Sequence, residues 1–265
     1  LEHLTNYDVV FRTPGMYFNN PALTAARKQG VIITSEMETF FDLCPCRIYG
    51  VTGSDGKTTT TTLISEMLAK TGRRVYKGGN IGKALLPLIE TIREEDAAVV
   101  ELSSFQLISM RRSPDVAVIT NISPNHLDVH GTMEEYIGCK VNLIAHQNAY
   151  SKTVLNLDNA QTAALAEQVR GRLLWFTRQQ KPERGTFLNA EGWLCYAEAG
   201  KTQRIVRAED IRIPGLHNVE NYLAAIAAVW GEVPAETIVE VAKTFGGVAH
   251  RIELVRVKDG VKYYD

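Results

Sequence analysis

The stretch "VTGSDGKTT", Val51 to Thr59, constrains this chain more than any other. It follows the strand-like "CRIYG" and precedes the apolar-spaced "LISEML", so a strand is expected to end in a glycine-rich loop that opens a helix. Free N–H groups at a helix start attract an anion, and a lysine closing such a loop reaches the outer oxygens of a polyphosphate. The common spacing GxxxxGK[ST] fails by one position, because Val51 stands where its first glycine belongs. What remains is the tighter GxxGK[ST]. Gly53, Ser54, Asp55, Gly56, Lys57, Thr58 and Thr59 are therefore expected to hold nucleotide phosphates, with Thr58 supplying the hydroxyl that a Mg²⁺ ion takes. A glycine turn with a surface lysine is the plainer alternative, and the coincidence of strand, loop, lysine, hydroxyl and helix counts against it. Thr59 to Thr62 read as helix wall, although Thr59, within the first turn, is placed where it could touch phosphate.

Around this loop, short β-branched runs alternate with helical patterns, the mark of an α/β fold with a mostly parallel sheet and flanking helices. "YDVVF", "GVIITS", "CRIYGVTG", "RVYKGG", "AAVVELSS", "VAVITNIS", "TVLNLD" and "RLLWFT" read as strands. Lys57 to Thr71, Thr132 to Ala149 and Asn159 to Arg170 read as helices, the second opened by a capping box of Thr132 and Glu135. After Thr177 the pattern becomes a small antiparallel hairpin region. Helices His217 to Trp230 and Ala235 to Phe245 follow, then Gly246-Gly247 and a last hairpin. Boundaries are placed near Cys46 and at this double glycine. Residues 1–45 are then the back end of one α/β unit, 46–247 a central domain, and 248–265 the start of a third. A start without methionine and an end inside a strand-like run point to a fragment.

With 29 basic against 30 acidic side chains and no block of like charge, the chain lacks the footprint of a nucleic-acid or membrane-surface protein. No apolar run approaches membrane-spanning length and no signal region opens the chain, so a cytoplasmic location is expected. Cys44, Cys46, Cys139 and Cys195 form no CxxC pair, and reduced thiols are the plain reading.

A magnesium ion on one hydroxyl calls for a carboxylate. Glu101 ends "AAVVE" at the sheet edge where open α/β sheets present their ligands. "NISPNHLDVHG" adds His126, Asp128 and His130 beyond the same edge. A zinc site of His126, His130 and a cysteine is a weaker option, lacking CxxC or HExxH.

"GVTGSDGKTT", "GGNIG" (Gly78 to Gly82), "ELSSFQL" (Glu101 to Leu107), "NISPNHLDVHG", Tyr136 with Lys140, "GLHNVEN" (Gly215 to Asn221) and "HRIE" (His250 to Glu253) together resemble the Mur ligases, in that family's order through nearly the whole chain. "GGNIG" and "SSFQL" favour the members that add D-glutamate over those adding alanine or diamino acids. "RTPGM" resembles the segment where the first domain approaches a uridine nucleotide, with Thr13 in place of a serine.

The resemblance implies an ATP-dependent ligation that joins D-glutamate to UDP-N-acetylmuramoyl-L-alanine through an acyl phosphate, in peptidoglycan precursor synthesis. It implies ATP with two Mg²⁺ ions, small-molecule substrates and a monomer. Residues 1–45 would belong to a Rossmann-like UDP-substrate domain, 46–247 would bind ATP, and 248–265 would begin an amino-acid-binding domain. Lys57, His126 and Lys140 would be catalytic. Thr58, Glu101, His126 and Lys140 would hold metal. Asn218 and Asn221 would reach the adenine, with Arg251 also at ATP. Thr13, Pro14, Gly15, Asn80, Ser103 and His126 would seat the muramoyl substrate. Lys140, by itself a surface or salt-bridging lysine on the same helix face as Tyr136, would be carbamylated and so anionic. The 265-residue chain alone is expected to bind ATP weakly and not to make the amide bond. Two alternatives remain: a related ligase adding another amino acid, and a module that holds ATP without turning it over.

Overall fold

Strands that carry apolar side chains on both faces must be covered on both faces, and this dictates the architecture. The structure, a computed structural model, describes residues 1, 3–125, 127–248, 254–258 and 261–264. Strands β1 (Val9–Phe11), β2 (Ile32–Thr34), β3 (Arg47–Thr52), β4 (Val75–Gly79), β5 (Ala97–Glu101), β6 (Val116–Ile119) and β8 (Arg172–Thr177) lie within the runs read as strands, and β7 (Lys152–Asn156) begins one residue before its run. β9 (Gly185–Leu188), β10 (Trp193–Glu198) and β11 (Lys201–Arg207) are the expected hairpins. They extend the main sheet, which has nine strands in the order β11-β10-β9-β8-β7-β6-β3-β5-β4. Pairing is parallel from β4 across to β9 and antiparallel beyond.

The helices are α1 (Pro21–Lys28), α2 (Glu36–Leu43), α3 (Lys57–Ala69), α4 (Ser104–Leu107), α5 (Leu127–His130), α6 (Met133–Ala145), α7 (Ala160–Ala163), α8 (Leu216–Val229) and α9 (Ala235–Thr244). Alternate residues of each strand point to opposite faces. Tyr49, Val51, Val99, Val118 and Val154 therefore meet α3, α8 and α9, while Ile48, Val100, Ala117, Ile119 and Leu155 meet α2 and α6. α2 was not read from the sequence. It buries Met37, Phe40 and Phe41 in this second layer, so its side chains belong to the large sheet's core. β1 and β2 form a separate parallel pair covered by Leu23 and Ala26 of α1. β12 (Leu254–Lys258) and β13 (Val261–Tyr264) form the last hairpin.

Helix α3 carries five successive threonines, poor helix formers that together cost roughly 3 kcal/mol against alanine. Leu63, Ile64, Met67 and Leu68 of the same helix are fully buried, which contributes about 6–12 kcal/mol. Packing therefore outweighs propensity. Ala224, Ala225, Ala227 and Ala228 of α8 join them in one core cluster, small side chains that let the two helices approach closely. The interval Asn159 to Arg170, expected as one helix, is α7 followed by a 3₁₀ segment, Ala164–Gln168.

The site follows from the strand order. β3 lies between β5 and β6, and the chain leaves it first toward the β5–β4 side and later returns on the β6 side. Connections diverge at such a point and leave a crevice at the carboxyl ends of the strands.

Candidate phosphate-binding site

The loop Gly53 to Gly56 leaves β3 in that crevice and opens α3. Its two glycines are required by geometry. Gly56, the N-cap of α3, has φ +76°, and a Cβ there would lie 2.3 Å from Oδ1 of Asn221. Gly53 has φ +152°, and its Cβ would lie 1.9 Å from Oγ1 of Thr120. The carboxyl end of β6 shapes the rest. Ser54 N donates to Asn121 O and Asp55 N to Asn121 Oδ1, both at 2.9 Å, and Thr120 Oγ1 donates to Asp55 O at 2.6 Å. Thr120 and Asn121 escaped the sequence reading. Their signal was two polar residues directly after the apolar "VAVI".

The expected partnership of hydroxyl and carboxylate is present. Thr58 Oγ1 donates to Glu101 Oε2 at 2.6 Å, and Asn80 Nδ2 donates to Glu101 Oε1 at 2.8 Å. Glu101 is 2% exposed, so its oxygens are satisfied by these donors rather than by water. A hydroxyl beside a carboxylate is a pair of hard oxygen donors of the kind Mg²⁺ prefers. Among the described residues no three His, Cys, Asp or Glu side chains converge as a metal cluster. Asn80 thus holds Glu101 in place, a role distinct from the substrate contact expected of it.

Lys140 is buried, 1% exposed, against the reading of its sequence alone as a surface lysine. α6 packs against the sheet face below the loop, which turns Lys140 inward. Its Nζ donates to Gly53 O at 2.9 Å and lies 4.5 Å from the centre of the Tyr136 ring. One turn earlier, the Tyr136 hydroxyl is 3.1 Å from Ser54 Oγ. Burial, then the nearby Lys57 charge, brings the Lys140 ammonium down to about 7. Lys57 itself donates to Ser54 O at 2.8 Å.

Gly53, Lys57, Asn80, Ser103, Ser104, Phe105, Asn125, Tyr136 and Lys140 line one cleft of about 260 Å³. Thr13 and Pro14 line a second cleft with Met37, Gly79 and Gln106. The Thr13-Pro14-Gly15-Met16 turn closes by Met16 N donating to Thr13 O at 3.0 Å. Buried Arg12 ties this turn to α4, donating to Met16 O at 2.8 Å and Phe105 O at 2.9 Å. Asn218 and Asn221, expected at an adenine, lie behind the loop with their amides engaged. Asn218 Nδ2 donates to Pro214 O at 2.6 Å, Asn221 Nδ2 to Asn218 Oδ1 at 3.2 Å, and Thr60 Oγ1 to Asn221 Oδ1 at 3.3 Å. Thr59 is half-buried in the first turn of α3. His130 is buried, with Nε2 2.9 Å from Ser104 Oγ and its ring stacked on Phe105. His126 and Arg251 lie outside the described residues.

A strand, a glycine loop and a buried Thr–Glu pair at a switch point are common to many nucleotide-binding folds. Residues 51–229 match the family model of the Mur ligase middle domain. The chain belongs to the Mur ligase family. It is 51% identical over 265 residues to the UDP-N-acetylmuramoylalanine–D-glutamate ligase of Acetivibrio thermocellus and 46% identical to that of Clostridium novyi. All of this Mur ligase chain aligns, and it spans 57% of the length of either relative. Its fold is similar to a solved UDP-N-acetylmuramoyl-L-alanyl-D-glutamate–2,6-diaminopimelate ligase, with TM-score 0.68 at 18% identity, covering 95% of this chain and 65% of that one. The UDP-N-acetylmuramate-alanine ligase of Thermotoga maritima gives TM-score 0.62 at 20% identity, covering 97% of this chain and 59% of that one. In this Mur ligase the family's middle-domain match thus begins at Val51, the next-to-last residue of β3, and ends with α8 behind the loop.

Proposed function

We propose that this chain is the ATP-binding core of a ligase that joins D-glutamate to UDP-N-acetylmuramoyl-L-alanine through an acyl phosphate. The carrying observation is the buried Thr58–Glu101 pair, held from the exposed side by Asn80, beside a glycine loop whose other wall is Lys140. The relatives named as D-glutamate ligases at 46–51% identity support the choice of amino acid. In this reading residues 1–45 belong to the muramoyl-nucleotide side, 46–247 bind ATP and 248–265 begin the amino-acid side.

Phosphoryl transfer asks for positioning and for positive charge where the γ-phosphoryl oxygens gather it. The loop amides and Lys57 supply both. Thr58 and Glu101 would hold Mg²⁺, which contributes charge neutralisation between a carboxylate nucleophile and the polyphosphate. Asn80 keeps Glu101 oriented, and the Asn221 amide backs the loop by occupying the space where a Cβ at position 56 would lie, so that only glycine fits there. Lys140 would be carbamylated in this reading: an amine near neutrality is nucleophilic toward CO₂, and the resulting anion would attract a second Mg²⁺ where an ammonium repels it. Ser103 and the Thr13-Pro14 turn would approach the muramoyl substrate from the two clefts.

The test uses the full-length protein that contains this chain. Phosphate release should require ATP, UDP-N-acetylmuramoyl-L-alanine and D-glutamate together. Thr58→Val should lower kcat at least 100-fold, with Thr58→Ser retaining most of it, since only the hydroxyl is at issue. Release that another amino acid supports as well as D-glutamate, or that Thr58→Val leaves intact, overturns the reading.

A further inference from the structure

Two of the four cysteines lie together, away from the phosphate cleft. Cys44 caps the end of α2, its N–H donating to Phe40 O at 2.9 Å, and Cys46 immediately precedes β3. Only Pro45 separates them. Their sulfurs are 3.5 Å apart, and a disulfide of about 2.0 Å needs an approach of roughly 1.5 Å. The two thiols differ in access. Cys44 is half-buried and reaches solvent, whereas Cys46 is 5% exposed and packs in the core layer of α2 and Ile48. Cys139 and Cys195 are both buried, and Cys139 faces the His130 ring.

We propose that Cys44 and Cys46 are a modification site, a dithiol that a hydroperoxide converts to an intramolecular disulfide at the joint between α2 and the strand bearing the phosphate loop. The accessible sulfur is the attacking one. The hydrogen bond with Cys46 favours the Cys44 thiolate and draws that thiol below its ordinary range, against burial and the nearby Asp115 carboxylate. The same hydrogen bond and burial push Cys46 up, so it waits as the protonated partner.

The Cys44 thiolate attacks one peroxide oxygen, the O–O bond breaks, and water or an alcohol leaves while sulfur becomes a sulfenic acid. The Cys46 sulfur then attacks the Cys44 sulfur. The S–S bond forms, the S–O bond breaks, and hydroxide departs as water with the Cys46 proton. Two thiols and one hydroperoxide thus yield a disulfide, one water, and one alcohol or second water. A dithiol reductant reverses the step by thiol–disulfide exchange. The product ties the end of α2, which carries the muramoyl-side segment into the core, to the start of β3.

The chain is exposed to hydrogen peroxide, alkylated and digested with trypsin. The peptide Gln29 to Arg47 carries both cysteines and no other thiol. Its cysteines should resist alkylation and its mass should fall by two hydrogens, with any Met37 sulfoxide counted separately. Dithiothreitol should restore two alkylation sites. Cys46→Ser should stop at a Cys44 sulfenic acid trapped by dimedone, and Cys44→Ser should leave Cys46 alkylatable. A wild-type peptide that still takes two alkyl groups overturns the proposal, as does Cys44 advancing to sulfinic acid without the two-hydrogen loss.

Discussion

The contact between Gly56 and Asn221 gives the sharpest quantitative test of how the loop is held. Gly56→Ala places a Cβ 2.3 Å from the Asn221 amide oxygen at a backbone angle of φ +76°. The left-handed conformation costs a non-glycine residue about 1–2 kcal/mol. To clear the Cβ, the Asn221 amide must turn away from both Thr60 and Asn218, and losing those two bonds costs about 1–3 kcal/mol more. The total is about 2–5 kcal/mol, or roughly 2–4 °C of melting temperature for each kcal/mol in a domain of this size. In an Asn221→Ala background the obstruction is gone and only the backbone cost of about 1–2 kcal/mol remains. A double-mutant cycle by urea unfolding should therefore show coupling of about 1–3 kcal/mol between the two positions. Nucleotide affinity should fall with Gly56→Ala and recover in part in the double variant. Equal losses in both backgrounds would refute the claim that Asn221 is the support beneath the loop.

The remaining predictions concern buried amines. With its ammonium near 7, Lys140 should be carbamylated in ¹³C-bicarbonate several-fold more at pH 8 than at pH 6; a ¹³C signal that is absent, or that survives Lys140→Arg, would remove that assignment. Lys152 is brought down to about 8 by burial, and donates to Ala228 O and Trp230 O at the end of α8. A base with a lowered folded pKa leaves the unfolded chain holding more protons between the folded and unfolded values. Stability should therefore rise from pH 8 toward pH 10, by up to about 1.4 kcal/mol per pH unit for this one group, and Lys152→Met should flatten the rise. Above that window buried Tyr49 and Tyr222, both pushed up by burial, act in the opposite direction. A urea series with equal slopes for both proteins would exclude Lys152 as a source.

Much of the site was legible because it is local. The strand, the loop and the start of α3 are coded by neighbouring residues, and Thr132 accepts from Glu135 N at 3.1 Å, but only this half of the expected capping box forms, since Thr132 N donates to His130 O and Glu135 Oε1 accepts from Tyr17. Glu101 was found because an ionised residue after an apolar run needs a reason. α2 was missed because its eight residues carry apolar side chains that only a second layer of the sheet makes sense of. The hairpins after Thr177 were foreseen as hairpins, but their joining of the main sheet depends on β9 pairing in parallel with β8, a long-range choice.

The sequence by itself determined where a phosphate could be held and which residue types stand near it, since backbone conformation and helix start are set within a few residues. Tertiary structure decided what those residues do. Thr58 meets Glu101 across 43 residues because β3 and β5 pair in one register, with Val51 opposite Glu101. Lys140 loses its solvent, and with it its ordinary basicity, because α6 lies against the sheet beneath the loop. Hydrogen bonding and desolvation depend on what surrounds an atom in space, and that is established only when the layers close.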